Sequence, residues 1–364
     1  MGCGLGALVA FGGEALGGAE VAEDAGVVAE ATAGVGAGVG AVLGWAALQA
    51  DRTSAASNPH SAFTLPVWSG EFCRREYRMP AITGATAADA GTVDIGGDVT
   101  VNRLGFGAMR VTGRGIWGDP PDRDQARAVL RRVVELGVNF IDTADSYGPN
   151  VSEELIAEAL HPYPEDLVIA TKGGLLRPGP RQWHPDGRPE YLRQACEGSL
   201  RRLRLDQIAV YQFHRPDHAV PFEDSIGALV ALKDEGKIRH IGLSNVNENQ
   251  LRRAQRLTPI VSIQNRYNPG DRSSESLVDL CAEEEIAFLP WAPIQNLDRL
   301  ATLVDIAERH GATTQQVALA WLLARSETML TIPGTGSIDH LEENVAAAGL
   351  RLTPEEISAL NDLR

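Results

Sequence analysis

The chain has 364 residues, 44% apolar and 22% charged, a balance typical of globular proteins and unlike that of disordered or fibrous ones. A net charge of −15 argues against nucleic acid and anionic membrane surfaces as partners. The four cysteines, Cys3, Cys73, Cys196 and Cys281, lack Cys-x-x-Cys spacing, so no metal site or disulfide framework is expected and a reducing cytoplasm is.

Residues 1–90 are rich in Gly and Ala and lack periodic patterning. They are expected to be a low-complexity segment without packed structure, or an extension upstream of a natural start at Met79. The uncharged stretch 31–50 is only marginally apolar, with few large side chains, so a membrane anchor there, like a small packed segment, is the lesser reading. Glu14, Glu20, Glu23 and Asp24 replace the positive region that a secretory signal needs. Residues 2–7 and 36–41 fit G-x-G-x-x-A, but neither follows a strand, so no dinucleotide fingerprint is read there.

From residue 91 the pattern changes. Residues 91–103 alternate around Gly96 and Gly97 and predict a hairpin closing the bottom of a barrel. Eight short apolar runs follow, at 106–109, 139–148, 167–174, 208–216, 238–245, 260–268, 286–293 and 329–336. Helical spacing follows nearly every run, at 122–136, 152–160, 190–203, 222–235, 247–256, 274–285 and 342–348. Start signals are Asp122 ahead of the first of these and Ser152 ahead of Glu153 and Glu154 in the second. Two extra helices are predicted at 297–310 and 313–324, and a C-terminal one at 354–363 behind Thr353. Eight strands alternating with helices predict an α/β fold, a (β/α)8 TIM barrel over residues 91–364 with an N-terminal hairpin and extra C-terminal helices.

Chemistry in such barrels sits at the C-terminal strand ends. There the sequence places Asp142 and Tyr147, then Lys172, then His214. Taken singly, each has a structural reading: an ion pair, a polar cap, an amphipathic cover. Together at consecutive strand ends they suit proton transfer to a carbonyl. A phenol titrates near ~10, and a neighbouring ammonium is expected to lower that value. Asp142 would hold Lys172 charged, and His214 would hydrogen-bond the oxygen that Tyr147 protonates.

These segments, GVNFIDTADSYG, VIATKGG and VYQFHRPD, resemble those of the aldo-keto reductases, and the resemblance runs from about residue 101 to 363. It implies Asp142, Tyr147, Lys172 and His214 as catalytic residues, with Tyr147 the general acid. IGLSN implies that Ser244 and Asn245 hold the nicotinamide carboxamide. SIQNRYN places Gln264 beside it, and LPWAP offers Trp291 for stacking. IPGTGSIDHLEEN implies a phosphate cradle at Gly334, Thr335 and Gly336, with Glu343 and Asn344 at the adenine end. Where many members carry Lys or Arg for a 2′-phosphate, this chain has Ser337 and His340. NADPH is the expected cofactor, with NADH use left open. Framework motifs such as VNRLGFGAM are similar to a bacterial pyridoxal-reductase-like branch.

The expected activity is reduction of a small aldehyde or ketone by a cytoplasmic monomer, without nucleic-acid or membrane partners. Trp117 and Trp183 could wall an aromatic or apolar substrate, and the loop arginines 177, 181 and 215 could hold an anionic group. One alternative is a cofactor-sensing regulatory subunit like the channel-associated members of the family. Another is a Schiff-base barrel using Lys172, against which Asp142 argues by keeping the amine protonated.

Overall fold

The computed structural model describes residues 84–295, 297 and 300–363. The chain divides into two units, Met1–Phe72 and Cys73–Arg364, and the described residues belong to the second. The expectations for residues 1–83, Met79 included, lie outside them.

The described chain opens with a 3-10 turn, Ala87–Ala90, whose Ala87 is buried and whose amide bonds to Leu136 O. It lies just ahead of residue 91, where the sequence sets the barrel to begin, and Ala87 joins the barrel's outer core. The hairpin follows as β1 (Thr92–Ile95) and β2 (Val99–Asn102), antiparallel, with Val93 opposite Val101 and Ile95 opposite Val99. Those four face the same side and are buried.

The barrel proper begins with β3 (Phe106–Gly107), α1 (Arg123–Glu135), β4 (Phe140–Asp142), α2 (Val151–Leu160) and β5 (Val168–Gly173). A two-stranded ribbon, β6 (Leu175–Leu176) with β7 (His184–Pro185), interrupts the repeat before α3 (Pro189–Leu203) and β8 (Ile208–Phe213). Next come α4 (Phe222–Asp234), β9 (Ile238–Ser244), α5 (Glu248–Gln255), β10 (Ser262–Gln264), α6 (Glu275–Glu283) and β11 (Ala287–Phe288). The chain ends with α7 (Ala301–His310), α8 (Thr314–Arg325), α9 (Ile338–Ala346) and α10 (Pro354–Asn361).

Seven parallel strands run in the order β11-β10-β9-β8-β5-β4-β3. The eighth stave, expected at 329–336, is present as backbone bridges: Met329 pairs with Phe288 and Thr331 with Leu104, both parallel. Leu330 N–H bonds to Phe288 O at 2.9 Å, and Gly105 N–H bonds to Thr331 O at 2.8 Å. This closes the (β/α)8 barrel. Arg103 reinforces the join, its guanidinium donating to the carbonyls of Met329, Leu323 and Ser326.

Strand alternation sorts the side chains. Tyr211 and Phe213 of β8 point outward into the helix layer, while Val210 points into the barrel. Inside, Phe140, Ala170, Val210, Val261, Ala287, Leu289, Leu330 and Ile332 meet the four apolar hairpin residues in one cluster. The hairpin therefore seals the bottom, as the sequence predicts.

Several helix starts differ from expectation, α7 among them, which begins at Ala301 and not at 297. Helix α2 begins one residue early behind Asn150 in left-handed backbone, and Ser152 is no cap. It is buried, bonding Thr143 Oγ1 at 2.7 Å and donating to Ala108 O at 3.2 Å. Helix α9 begins at Ile338 and not at 342, because Ser337 caps it by accepting the His340 N–H. No helix among the described residues is long and apolar enough to cross a membrane. Cys196 and Cys281 are buried free thiols, and burial pushes both up to about 12.

Candidate active site

Three strand ends build the centre. Asp142 closes β4, and Lys172 on β5 pairs in register with Gln212 on β8. All three point into the barrel one layer above the apolar floor. Lys172 Nζ donates to Asp142 Oδ2 at 2.6 Å, to Thr143 O at 2.9 Å and to the Tyr147 hydroxyl at 3.3 Å. The ammonium is fully buried, so each of its three protons needs a partner, and these three acceptors supply them. Asp142 Oδ1 accepts from Gln212 Nε2 at 3.0 Å and Gln264 Nε2 at 2.9 Å.

Tyr147 reaches Lys172 from the loop after β4. Gly148, at φ 101°, turns the chain sharply behind it, and a Cβ there would lie 2.4 Å from Val151 Cβ. The next residue, Pro149, cannot itself donate a backbone N–H. His214 follows β8 and sits edge-on to Tyr147, with ring centroids 5.8 Å apart. Its Nδ1 lies 3.3 Å from Ser146 Oγ.

The electrostatics differ in one respect from the sequence reading. Full burial raises the Tyr147 phenol above its ordinary value by more than Lys172 pulls it down, and Asp142 adds to the rise. The phenol thus stays protonated even with Lys172 Nζ donating to its oxygen. Burial alone would depress the Lys172 ammonium, but Asp142 and Tyr147 outweigh it and the net direction is up. Burial holds His214 well below the ordinary histidine value, and the charges of Lys172, Arg215 and Arg177 add to this. The imidazole is therefore neutral.

Asn245 follows β9 in left-handed backbone (φ 58°), which asparagine tolerates better than most residues. Its Nδ2 donates to His214 O and to Ser244 Oγ, both at 3.1 Å, and its Oδ1 accepts from Trp291 Nε1 at 3.2 Å. Ser244, Asn245 and Trp291 are thus one connected group beside His214. Gln264 is adjacent, in register with Ser244, but its amide nitrogen is engaged by Asp142.

Gly334, Thr335 and Gly336 lie beyond the eighth stave. A Cβ on Gly334 would sit 2.4 Å from Gly107 O, so only glycine fits against β3 there. Thr335 Oγ1 accepts the Ser337 N–H at 3.0 Å. His340 and Glu343 are exposed, and Asn344 is buried.

Four residues near the centre escaped the sequence reading: Gln212, Ser146, Asp145 and the buried side of Glu153. Gln212 was available from alternation, since it shares its strand face with His214 two residues on. Asp145 lies in the loop between Asp142 and Tyr147, buried, with Tyr191 OH 3.3 Å from Oδ2 and no partner on Oδ1. Burial pushes its carboxyl up to about 8, with Glu153 adding to the rise. Glu153 accepts from Thr171 Oγ1 and from Arg202 Nε, both at 2.6 Å.

A buried Asp–Lys–Tyr chain with an adjoining neutral histidine, at the C-terminal mouth of a (β/α)8 barrel, defines a class of protein. A model of the Aldo/keto reductase family matches residues 103–364, and the chain belongs to that family and is an oxidoreductase. It is 49% identical over 288 residues to an uncharacterized oxidoreductase of Schizosaccharomyces pombe, covering 78% of this chain and 94% of that one. It is 44% identical over 275 residues to pyridoxine 4-dehydrogenase of Escherichia coli, covering 73% and 96%. Among solved structures, it is similar to a Klebsiella pneumoniae aldo/keto reductase in complex with NADP and acetate. There the TM-score is 0.64 at 28% identity, over 75% of this chain and 94% of that one. It is also similar to the glycerol dehydrogenase of Gluconobacter oxydans, with TM-score 0.67, 27% identity, and coverage of 75% and 95%.

Proposed function

We propose that this oxidoreductase reduces an aldehyde or ketone to an alcohol with NADPH, Tyr147 donating the proton. The observation that carries the reading is the Lys172 ammonium, fully buried and shared between Asp142 and the Tyr147 hydroxyl.

The residues fit a nicotinamide dinucleotide. Trp291 is half-buried and offers part of its indole for ring contact. Ser244 and Asn245 form a polar edge beside it, and Gln264 has its carbonyl oxygen left for an amide N–H. At the other end, Ser337 takes the His340 amide, while the amides of Ile338 and Asp339 have no intrahelical partner and suit phosphate oxygens. Glu343 and Asn344 lie further along α9 for the adenosine. The stretch 334–339 has no Lys or Arg and contains Asp339, so the preference for NADPH over NADH is modest. The NADP named in the Klebsiella complex supports the same choice.

When bound, the cofactor supplies hydride to the carbonyl carbon. Tyr147 delivers its proton to the carbonyl oxygen, and Lys172, 3.3 Å from that hydroxyl, stabilises the phenolate left behind. Asp142 keeps Lys172 charged and aimed. With the Ser146 hydroxyl donating to Nδ1, the His214 proton sits on Nε2, where it can donate to the substrate oxygen. The reading takes the enzyme to be a cytoplasmic monomer, a setting in which Cys196 and Cys281 stay reduced.

Loss of nicotinamide absorbance with the full chain, NADPH and an aldehyde panel tests the proposal. The panel includes pyridoxal, prompted by the name of the Escherichia coli relative. Turnover of at least one aldehyde is expected. Tight NADPH binding without turnover across the panel overturns the reading and favours a cofactor-sensing role.

A further inference from the structure

Arg177 follows β6 directly, and Trp183 directly precedes β7. The ribbon's register, Leu175 with Pro185 and Leu176 with His184, sets Arg177 opposite Trp183 at its open end. The Arg177 guanidinium carbon lies 3.6 Å from the Trp183 ring centroid and 5.6 Å from that of Trp117. One guanidinium nitrogen donates to Gly115 O at 3.1 Å. Gly115 and Trp117 belong to the loop after β3, and that loop is sewn to the site. Gly118 N–H donates to Gly148 O at 2.6 Å, and Trp117 bridges Gly148, the residue after Tyr147.

Arg177 thus spans two loops that rise from different strands. It is only 7% exposed, which suits a planar, weakly hydrated guanidinium against aromatic faces and would not suit an ammonium. A carbonyl compound with its oxygen at Tyr147 has little room inward, where Lys172, Asp142 and Gln212 fill the barrel. Its substituent is left the outward side, where Trp117 stands bridged to Gly148. Both indoles remain half-buried, leaving apolar surface for a ligand.

We infer that Arg177 is a specificity-determining residue. It clamps Trp117 and Trp183 into one aromatic wall beside Tyr147, which selects planar aromatic carbonyl compounds over small aliphatic ones. This rests on the reductase reading above.

The test compares wild type, Arg177→Ala and Arg177→Lys with 4-nitrobenzaldehyde and with propanal, and follows amide exchange in residues 113–118. Both variants should raise KM for 4-nitrobenzaldehyde about tenfold, equivalent to roughly 1.4 kcal/mol, with kcat within about twofold. KM for propanal and the Kd for NADPH should move less than about twofold, and exchange in 113–118 should quicken. Lysine should not rescue, because a compact ammonium keeps the charge and loses the stack. A wild-type KM in Arg177→Lys, an equal rise for both aldehydes, or unchanged exchange overturns the clamp. A wild type that binds NADPH and turns over neither these two aldehydes nor any other of the panel above overturns the reductase reading itself, and substrate selection by this wall with it.

Discussion

The two ends of the barrel are built from the same strands and share almost no chemistry. Phe140, Ala170 and Val210 line an apolar floor with the hairpin, while Asp142, Lys172 and Gln212, each two residues further along the same face, form a hydrogen-bonded polar layer. One step of strand alternation separates the most apolar part of the interior from a fully buried ammonium. The floor keeps water from reaching that ammonium from below, so its attraction to Asp142 and Tyr147 acts in a low dielectric. This is a division of labour: the lower layer is built for packing, and the upper layer holds the residues of the proposed chemistry.

Tyr147→Phe should sharpen the contrast most. It removes the proposed proton donor and little packing, so reduction should fall roughly 10²–10⁴-fold with NADPH affinity nearly intact. A variant keeping more than half the wild-type rate removes Tyr147 from its role. Phe140→Ala, two residues before Asp142, should do the opposite. It should destabilise the fold by about 3–5 kcal/mol in a denaturant melt, while kcat at a temperature where the protein stays folded changes little. A large kcat loss there would mean that the two layers are not separable.

Asp145 tests the border between them. Its carboxyl titrates near 3.8 when unperturbed and at about 8 in the folded protein. Between those values the folded state holds a proton that the unfolded chain has released, so stability falls as pH rises through that window. Asp145→Asn removes the dependence. Its advantage in Tm should grow from pH 5 to pH 8, reaching several degrees, at about 2–4 °C per kcal/mol. An advantage constant across that range would show an ionised Asp145. The smallest effect concerns the proposed phosphate loop at the upper end. His340→Ala should lower the NADPH-to-NADH ratio of kcat/KM by about twofold, from the loss of one polar side chain beside the proposed 2′-phosphate position. A strong preference that survives the substitution points elsewhere, first to exposed Arg110, whose carbonyl lies 3.1 Å from the position of a Gly336 Cβ.

Much of this division is legible in the sequence. The strand tips announce themselves because polar residues at the ends of apolar runs are hard to reconcile with packing, and Asp142, Tyr147, Lys172 and His214 stand out as candidates in that way. What stayed hidden needs three dimensions. Asp145 reads as an ordinary loop acid, and only the fold shows it sealed beneath Tyr191. Ser152 reads as a cap by its residue type, yet the true start is Asn150 in left-handed backbone, a conformation without a sequence pattern. The lowering of the Tyr147 pKa by Lys172 follows from charge alone, and burial, which sequence does not report, reverses it. Arg177 and Trp183 are six residues apart and become neighbours only through a ribbon of two-residue strands, too short to leave a periodic trace.

The barrel is also a hoop with a seam. Around most of its circumference the staves are held by continuous ladders, but between β11 and β3 the join consists of the Met329–Thr331 bridges and the grip of Arg103. That is where the hoop should open first during transient unfolding. The same segment runs straight on into the loop at Gly334, whose backbone presses on Gly107 across the join. A dinucleotide settling on that loop would act as a rivet over the seam. Cofactor binding and barrel closure would then be two readings of one equilibrium, and amide exchange along Met329–Thr331 should slow as the ligand concentration rises.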